Sequence, residues 1–204
     1  MRPSRTPLGP LLSSLLPLLA ALACSVPPVV RPPDKEVFEA QSEIILNAVR
    51  ELGANGDWLI TRGYHVTDHL VTTATGTPIS HAAVLDWDRD EVIESESSGV
   101  HTTSLKRFIG KSHRVLLVRP VWSIGGRGDE ALARARAVIG KPYDFAGLVG
   151  VQDSDRFYCS ELAMYAYKPW QRKQDRIPLV IEPGQMYLWG QILFDSRPRH
   201  WNWP

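Results

Sequence analysis

Cysteine is nearly absent from this chain: its 204 residues include two, Cys24 and Cys159. Two thiols cannot build the framework of a small disulfide-stapled domain, so the fold has to rest on a hydrophobic core. An excess of one charge is also missing. The formal net charge is +1, and no basic stripe interleaved with aromatics is present, so nothing points to a nucleic-acid partner. Long unbroken apolar runs are lacking too. The leucine-rich stretch "LGPLLSSLLPLLAALA" is interrupted by Pro10 and Pro17 and is too short for a membrane-spanning helix. No internal repeat is visible. What remains has the composition and length of one ordinary globular domain.

The positive start "MRPSR" followed by that apolar run suits a secretory signal, expected over residues 1–23. Ala21 and Ala23 satisfy the small-residue rule for cleavage. The end of the run, "ALAC", resembles a bacterial lipobox, with Ala21 where leucine is expected. That resemblance implies a lipid on Cys24, membrane attachment through it, and an exported protein on the periplasmic side of a bacterial membrane. A plain secreted protein is the alternative. Residues 24–33 include "SVPPVVRPPD", too rich in proline for helix or central strand, and are expected to act as an extended tether. The folded domain is expected over residues 34–195, with a tail over 196–204.

Within the domain, "DKEVFEAQSEIILNAVREL" has helical apolar spacing, with Asp34 as a natural N-cap and Gly53 as the stop. "GDWLITRG" predicts a short strand. "HAAVLDWDRDEVIES" predicts a hairpin turning between Asp86 and Glu91. Thr102 to Ser104 can cap a short helix at "LKRFI", and "RVLLVRPV" is apolar enough for a central strand. "GDEALARARAVIG" and "SDRFYCSELAMYAYKPW" predict two further helices, the last stopped by Pro169. Strands joined by short turns, with helices around them, predict an α+β domain on an antiparallel sheet.

Cys159 has three readings on this pattern: a buried packing residue, half of a disulfide with Cys24, or a nucleophile. With Ser154 or Asp155 as N-cap, Cys159 falls near the start of the last helix. There the helix dipole favours thiolate, and free backbone N–H groups can hold an oxyanion. A thiol nucleophile wants an imidazole base. Of six histidines, His81 opens a strand and is rigidly held; His65, His69, His101, His113 and His200 lie in less ordered settings. Pairing about the "DWDRDE" turn brings Glu94 to within about a residue of opposition to His81, making it the first choice to orient the ring, with Glu96 second.

The ordered set "GDWLITRG", "PISHAAVLDWDRDEVIES", "SLKRFI", "VLLVRP", "GKPYDF" and "FYCSEL" resembles the permuted papain-like branch of the NlpC superfamily, closest to the YaeF/YiiX-like hydrolases. The resemblance spans roughly Gly56 to Tyr167. It implies a circularly permuted papain-like (NlpC-type) fold with the nucleophile at a helix N-terminus. It also implies a thiol hydrolase with Cys159 as nucleophile, His81 as base and Glu94 as orienting residue. Ser160 and Tyr143 are then candidates for the oxyanion site or pocket. The implied reaction is cleavage of an amide bond in an envelope substrate through a thioester, without cofactor or metal. A lipid acyltransferase or acyl-hydrolase of the same fold, and a non-catalytic envelope binding protein, are the alternatives. His65 and His69 are spaced to share a helix face and bind zinc, but the flanking glycine and threonines argue against a helix and no second pair follows. The "GRGD" stretch reads as the lead-in to a helix, and "RHWNWP" as a packing segment, a flexible tail or a surface contact.

Overall fold

The computed structural model describes residues 29–151 and 153–200. The expected signal segment, Cys24, residues 24–28 of the tether and residues 201–204 lie outside the described residues. Residues 29–34 are without regular structure, and the first helix, α1, is Lys35–Leu52. It buries Ile45, Leu46 and Val49, while Ile44 and Leu52, apolar positions of the same run, are exposed; Asp34 precedes it without making a side-chain cap.

A six-stranded antiparallel sheet follows: β1 (Trp58–Gly63), β2 (His81–Asp86), β3 (Glu91–Glu96), β4 (Gly99–Ser104), β5 (Ser112–Pro120) and β6 (Gly190–Asp195). The spatial order is β4-β3-β2-β1-β5-β6. β2, β3 and β4 form a meander, and the expected hairpin turns through a 3-10 segment at Trp87–Arg89 with Asp90 left-handed at φ 53°. A short helix, α3 (Leu105–Gly110), capped by the Ser104 hydroxyl accepting from Arg107 N–H, then returns the chain to β5 beside β1. This crossover places α3 over the same face as α1.

Alternation along the strands divides the core in two. Leu59, Ala83, Leu85, Val92, Val115 and Leu117 pack with α1 and α3. Trp58, Ile60, Ala82, Val84, Ile93 and Val118 pack on the opposite face with α4 (Arg127–Arg136) and α5 (Cys159–Ala166). Helices thus cover both faces of the central strands, and these read as apolar runs for that reason. No helix among the described residues is long and apolar enough to cross a membrane.

Three local expectations need correction. The "HVTDHLVTTAT" stretch does form a helix, α2 (Val66–Thr75): His65 is its N-cap, and Asp68 Oδ2 accepts from the His65 N–H at 3.0 Å. The cap supplies what the threonines withhold. α5 begins at Cys159, with Tyr158 and not Ser154 or Asp155 at the N-cap position. The preceding turn is not helical because Phe157 is drawn into a bridge with Tyr143, donating to Pro142 O and accepting from Asp144 N–H and the Ser95 hydroxyl. β6, from "GQILFD", was not anticipated. Beyond it Ser196 and Arg199 still bond back to β5 through Val115 O and His113 O.

Candidate active site

β2 begins at His81, opposite Thr61 of β1. Glu94 of β3 stands opposite Ala83, two residues along from His81 and on the same face of the sheet. The ring therefore reaches the carboxylate diagonally, and His81 Nε2 lies 2.7 Å from Glu94 Oε2. The spacing that sequence placed within a residue of opposition is two residues, a gap that a diagonal pair closes. The side chain of Glu94 is fully buried, while that of His81 is 15% exposed.

With Nε2 engaged, the other ring nitrogen is left for Cys159, which is hydrogen-bonded to His81. Cys159 is the first residue of α5 and is 7% exposed. It is a free thiol. Backbone groups of Ala82 and Ser160 also bond its sulfur. α5 packs against β2 and β3, and this packing carries the sulfur to the end of β2 where His81 sits.

The electrostatics follow from these contacts. Burial alone would lower the imidazole pKa, but hydrogen bonds to Cys159 and Glu94 and their charges push it up to about 10. Burial raises the thiol pKa, but the His81 hydrogen bond and charge outweigh it, and the net direction is downward. For Glu94, burial is likewise overcome by His81 and Lys111, which hold the carboxyl down at about 2. The three groups favour thiolate, imidazolium and carboxylate together.

Glu96 is not the group on His81 Nε2. It binds the Lys111 ammonium at 2.7 Å, and its other oxygen lies 3.6 Å from His101 Nε2. The Ser160 side chain is fully buried and donates to Ile181 O at 2.6 Å, so only its backbone faces the sulfur. Tyr143 sits beside the site: its bridge partner Phe157 precedes the cysteine by two residues, and its ring lies 4.7 Å from Phe145. Burial and the neighbouring Cys159 raise its phenol well above the usual range. His65 and His69 take no part.

Sequence reasoning missed two groups. Lys111 contacts Glu94 Oε1 and Oε2 at 2.9 and 3.1 Å. Glu161, in the first turn of α5, accepts from Tyr158 N–H at 3.3 Å and is pushed up to about 7, by burial first and then by Asp144 and Asp153. The signal for Lys111 was the unpaired carboxylate on a buried strand, which demands a cation. One ligand atom each from His81, Glu94 and Glu96 lie within 4.8 Å of one another, and the Lys111 ammonium is bound to both of the carboxylates.

Comparisons with known proteins bear on the family and the fold. A search of curated proteins found no match. Among solved structures, the chain is similar to the "metalloprotein yiiX from Escherichia coli O157:H7", with 24% identity and a TM-score of 0.50. The alignment covers 58% of this chain and 66% of that one, just under two thirds of the relative's length. The profile of the family described as "Permuted papain-like amidase enzyme, YaeF/YiiX, C92 family" matches residues 54–177, more than half of the chain and all of the elements just described around Cys159 and His81. The chain belongs to that family of cysteine peptidases and amidases.

Proposed function

We propose that the protein is a cysteine hydrolase that cleaves an amide bond through Cys159, His81 and Glu94. The observation that carries the reading is the chain of contacts from Glu94 through the His81 ring to a buried thiol at the first residue of a helix. His81 accepts the thiol proton as the thiolate forms. Sγ attacks the carbonyl carbon, and the developing oxyanion is held by backbone N–H groups in the first turn of α5. The C–N bond then breaks as the imidazolium gives its proton to the leaving amine, and a thioester remains. Water, deprotonated by His81, attacks the thioester; the acid leaves and the thiol is restored. Glu94 keeps the ring oriented and its charge compensated throughout.

The substrate is an amide- or ester-containing component of the cell envelope in this reading. The leader and "ALAC" support an exported, lipid-anchored location on the periplasmic side. One feature favours an acylated substrate, and with it the acyltransferase alternative. The loop after Tyr143 exposes Phe145, Leu148, Val149 and Val151, four large apolar side chains within seven residues. The same loop frames a cavity of about 490 Å³ between Asp144, Phe145, Val151, Asp153 and Arg156. That solved relative is described as a metalloprotein; here the Lys111 ammonium is bound to both carboxylates of the acidic cluster, and no step above calls for a metal.

The test is a panel of peptide amides and N-acyl amino acids incubated with the full chain, quenched in acid and read by mass spectrometry. An acyl adduct on Cys159 with at least one substrate, lost with all turnover in Cys159→Ala, is the expected result. Adding a lipid alcohol separates the two chemistries, since acyl transfer diverts the adduct to ester and hydrolysis yields free acid. No adduct on Cys159 with any substrate, together with turnover that survives Cys159→Ala, would overturn the reading.

A further inference from the structure

Beyond the three residues that the reaction uses directly, the buried carboxylate of Glu94 has a second partner whose role the reaction does not explain. Lys111 lies at the C-terminal end of α3, 17 residues from Glu94 in sequence. Its ammonium contacts both Glu94 oxygens at 2.9 and 3.1 Å and Glu96 Oε1 at 2.7 Å. Its Nζ lies 5.5 Å from the centre of the Phe108 ring, and the same ring lies 6.0 Å from the His81 ring. Phe108 is fully buried, so one rigid aromatic spaces the lysine and the histidine on either side of the carboxylate.

Besides His81 and Lys111, Glu94 has the Thr103 side chain and, at 3.7 Å, His101 Nε2 as partners. Without a firmly held cation beside it, a fully buried carboxylate takes up a proton more readily, and that change releases the ring. Building on the Cys159–His81–Glu94 reading, we infer that Lys111 is a positioning residue of the site: its ammonium anchors Glu94 and Glu96 so that Glu94 stays a carboxylate and presents Oε2 to His81. The contacts recorded for Lys111 are with Glu94, Glu96 and the Phe108 ring, so it acts on His81 through the carboxylates and not on the reacting atoms. Burial would lower the lysine's own pKa, but the charges of Glu94 and Glu96 raise it, so the ammonium persists across the working range. Among the described residues, the charged groups recorded around this cluster are His81 on β2, Glu94 and Glu96 on β3, His101 on β4 with Nε2 3.7 Å from Glu94 Oε1, the Cys159 thiol on the far side of the His81 ring, and Lys111 after α3. The only ammonium or guanidinium among them is Lys111, so no neighbour can replace it.

The test is the pH dependence of Cys159 alkylation by iodoacetamide in the full chain, read on the Cys159 peptide by mass spectrometry so that Cys24 does not contribute. Wild type, His81→Ala, Lys111→Gln and Lys111→Arg are compared, with a thermal melt of each. Glutamine keeps hydrogen-bonding capacity without the charge, and arginine keeps the charge. The inference predicts that Lys111→Gln moves the alkylation midpoint up by about one pH unit, roughly a ten-fold loss of thiolate at fixed pH, and that Lys111→Arg restores most of it. A lysine that merely stabilises the fold would lower the melting temperature and leave the midpoint where it is. If the glutamine and wild-type profiles superimpose while His81→Ala shifts, the role assigned to Lys111 is wrong and the Cys–His reading stands. If wild type itself alkylates only near the ordinary thiol pKa of about 8.5, both fall. Should Lys111→Gln fail to fold, Lys111→Arg decides alone: an upward shift as large as that of His81→Ala, despite the retained charge, counts against the inference.

Discussion

His81 and His113 lie on the two strands that flank β1, and α3 touches both neighbourhoods. Their surroundings are opposite in charge. Around His81 stand Glu94, the Cys159 sulfur and, further out, Glu96; around His113 stand Arg62, Arg114, Arg199 and His200. The first ring is raised to about 10 and the second is lowered to about 4, by burial first and then by the surrounding cations. Arg199 is 1% exposed and has no carboxylate partner among the described residues. It donates to Phe38 O, the Ser42 hydroxyl and Ile109 O and stacks on Phe38. Arg62, also buried, donates to the Thr72 hydroxyl, and the Nε atoms of both guanidiniums find no partner among the described residues. One cluster is compensated internally and holds a proton; the other sets two buried guanidiniums, Arg62 and Arg199, beside His113, with Arg114 alone among the three paired to a carboxylate, Asp195, and it expels one. The difference teaches that the histidine count in the sequence said little, and the sign of the neighbours decided which ring can serve as base.

The strongest way to break this comparison is to remove the negative charge from the His81 side. Glu94→Gln should cut turnover of any substrate identified by about 100-fold and destabilise the fold by roughly 3 kcal/mol, because the buried partners His81 and Lys111 lose their counter-charge. Steady-state kinetics and denaturant melts check both numbers. A variant with full activity would mean that the ring is held by something else.

The pH dependence of stability sharpens it next, and the two histidines have opposite signs. His113 titrates lower in the folded chain than its ordinary 6.5, so the neutral ring is favoured by folding; stability is complete above 6.5 and is lost as pH falls through about 4. His81 titrates higher, so its contribution is complete below 6.5 and is lost as pH rises towards about 10. Denaturant midpoints measured across this range should fall on both sides. His113→Gln should recover about 3 kcal/mol on the acid side alone, and His81→Gln should flatten the alkaline side alone.

A smaller effect separates backbone from side chain at the helix start. Ser160→Ala deletes the hydroxyl bond to Ile181 O and leaves the backbone groups around Cys159 in place. The cost should be about 1 kcal/mol in stability with no change in the alkylation profile of Cys159. A shifted profile would mean that the hydroxyl, not the N–H, serves the sulfur.

Much of this was legible in the chain because it depends on local order. The turn "DWDRDE" set the hairpin, and the hairpin set which carboxylate could meet His81; strand alternation then decided the face. The glycine and small residues before Trp58 and the apolar run at Val115–Val118 marked strands that the fold keeps. What escaped depended on contacts distant in sequence. Phe157 belongs to a bridge with Tyr143, so the helix start slid from Ser154 to Cys159. α2 was obscured by its threonines, since the cap that rescues it is a histidine, an unusual N-cap residue. Lys111 sits between Gly110 and Ser112 in what reads as a polar turn, and only the crossover of α3 from the edge strand β4 to β5 carries it to Glu94.

The account's central claim is a thiolate–imidazolium pair at Cys159 and His81, and nitrogen-15 NMR of the His81 ring, assigned with His81→Gln, tests it most directly. The account predicts a doubly protonated ring at neutral pH that loses its proton only towards about 10, and a clear fall of that midpoint in Cys159→Ser. A ring that titrates near the ordinary 6.5 and ignores the loss of the sulfur would contradict it.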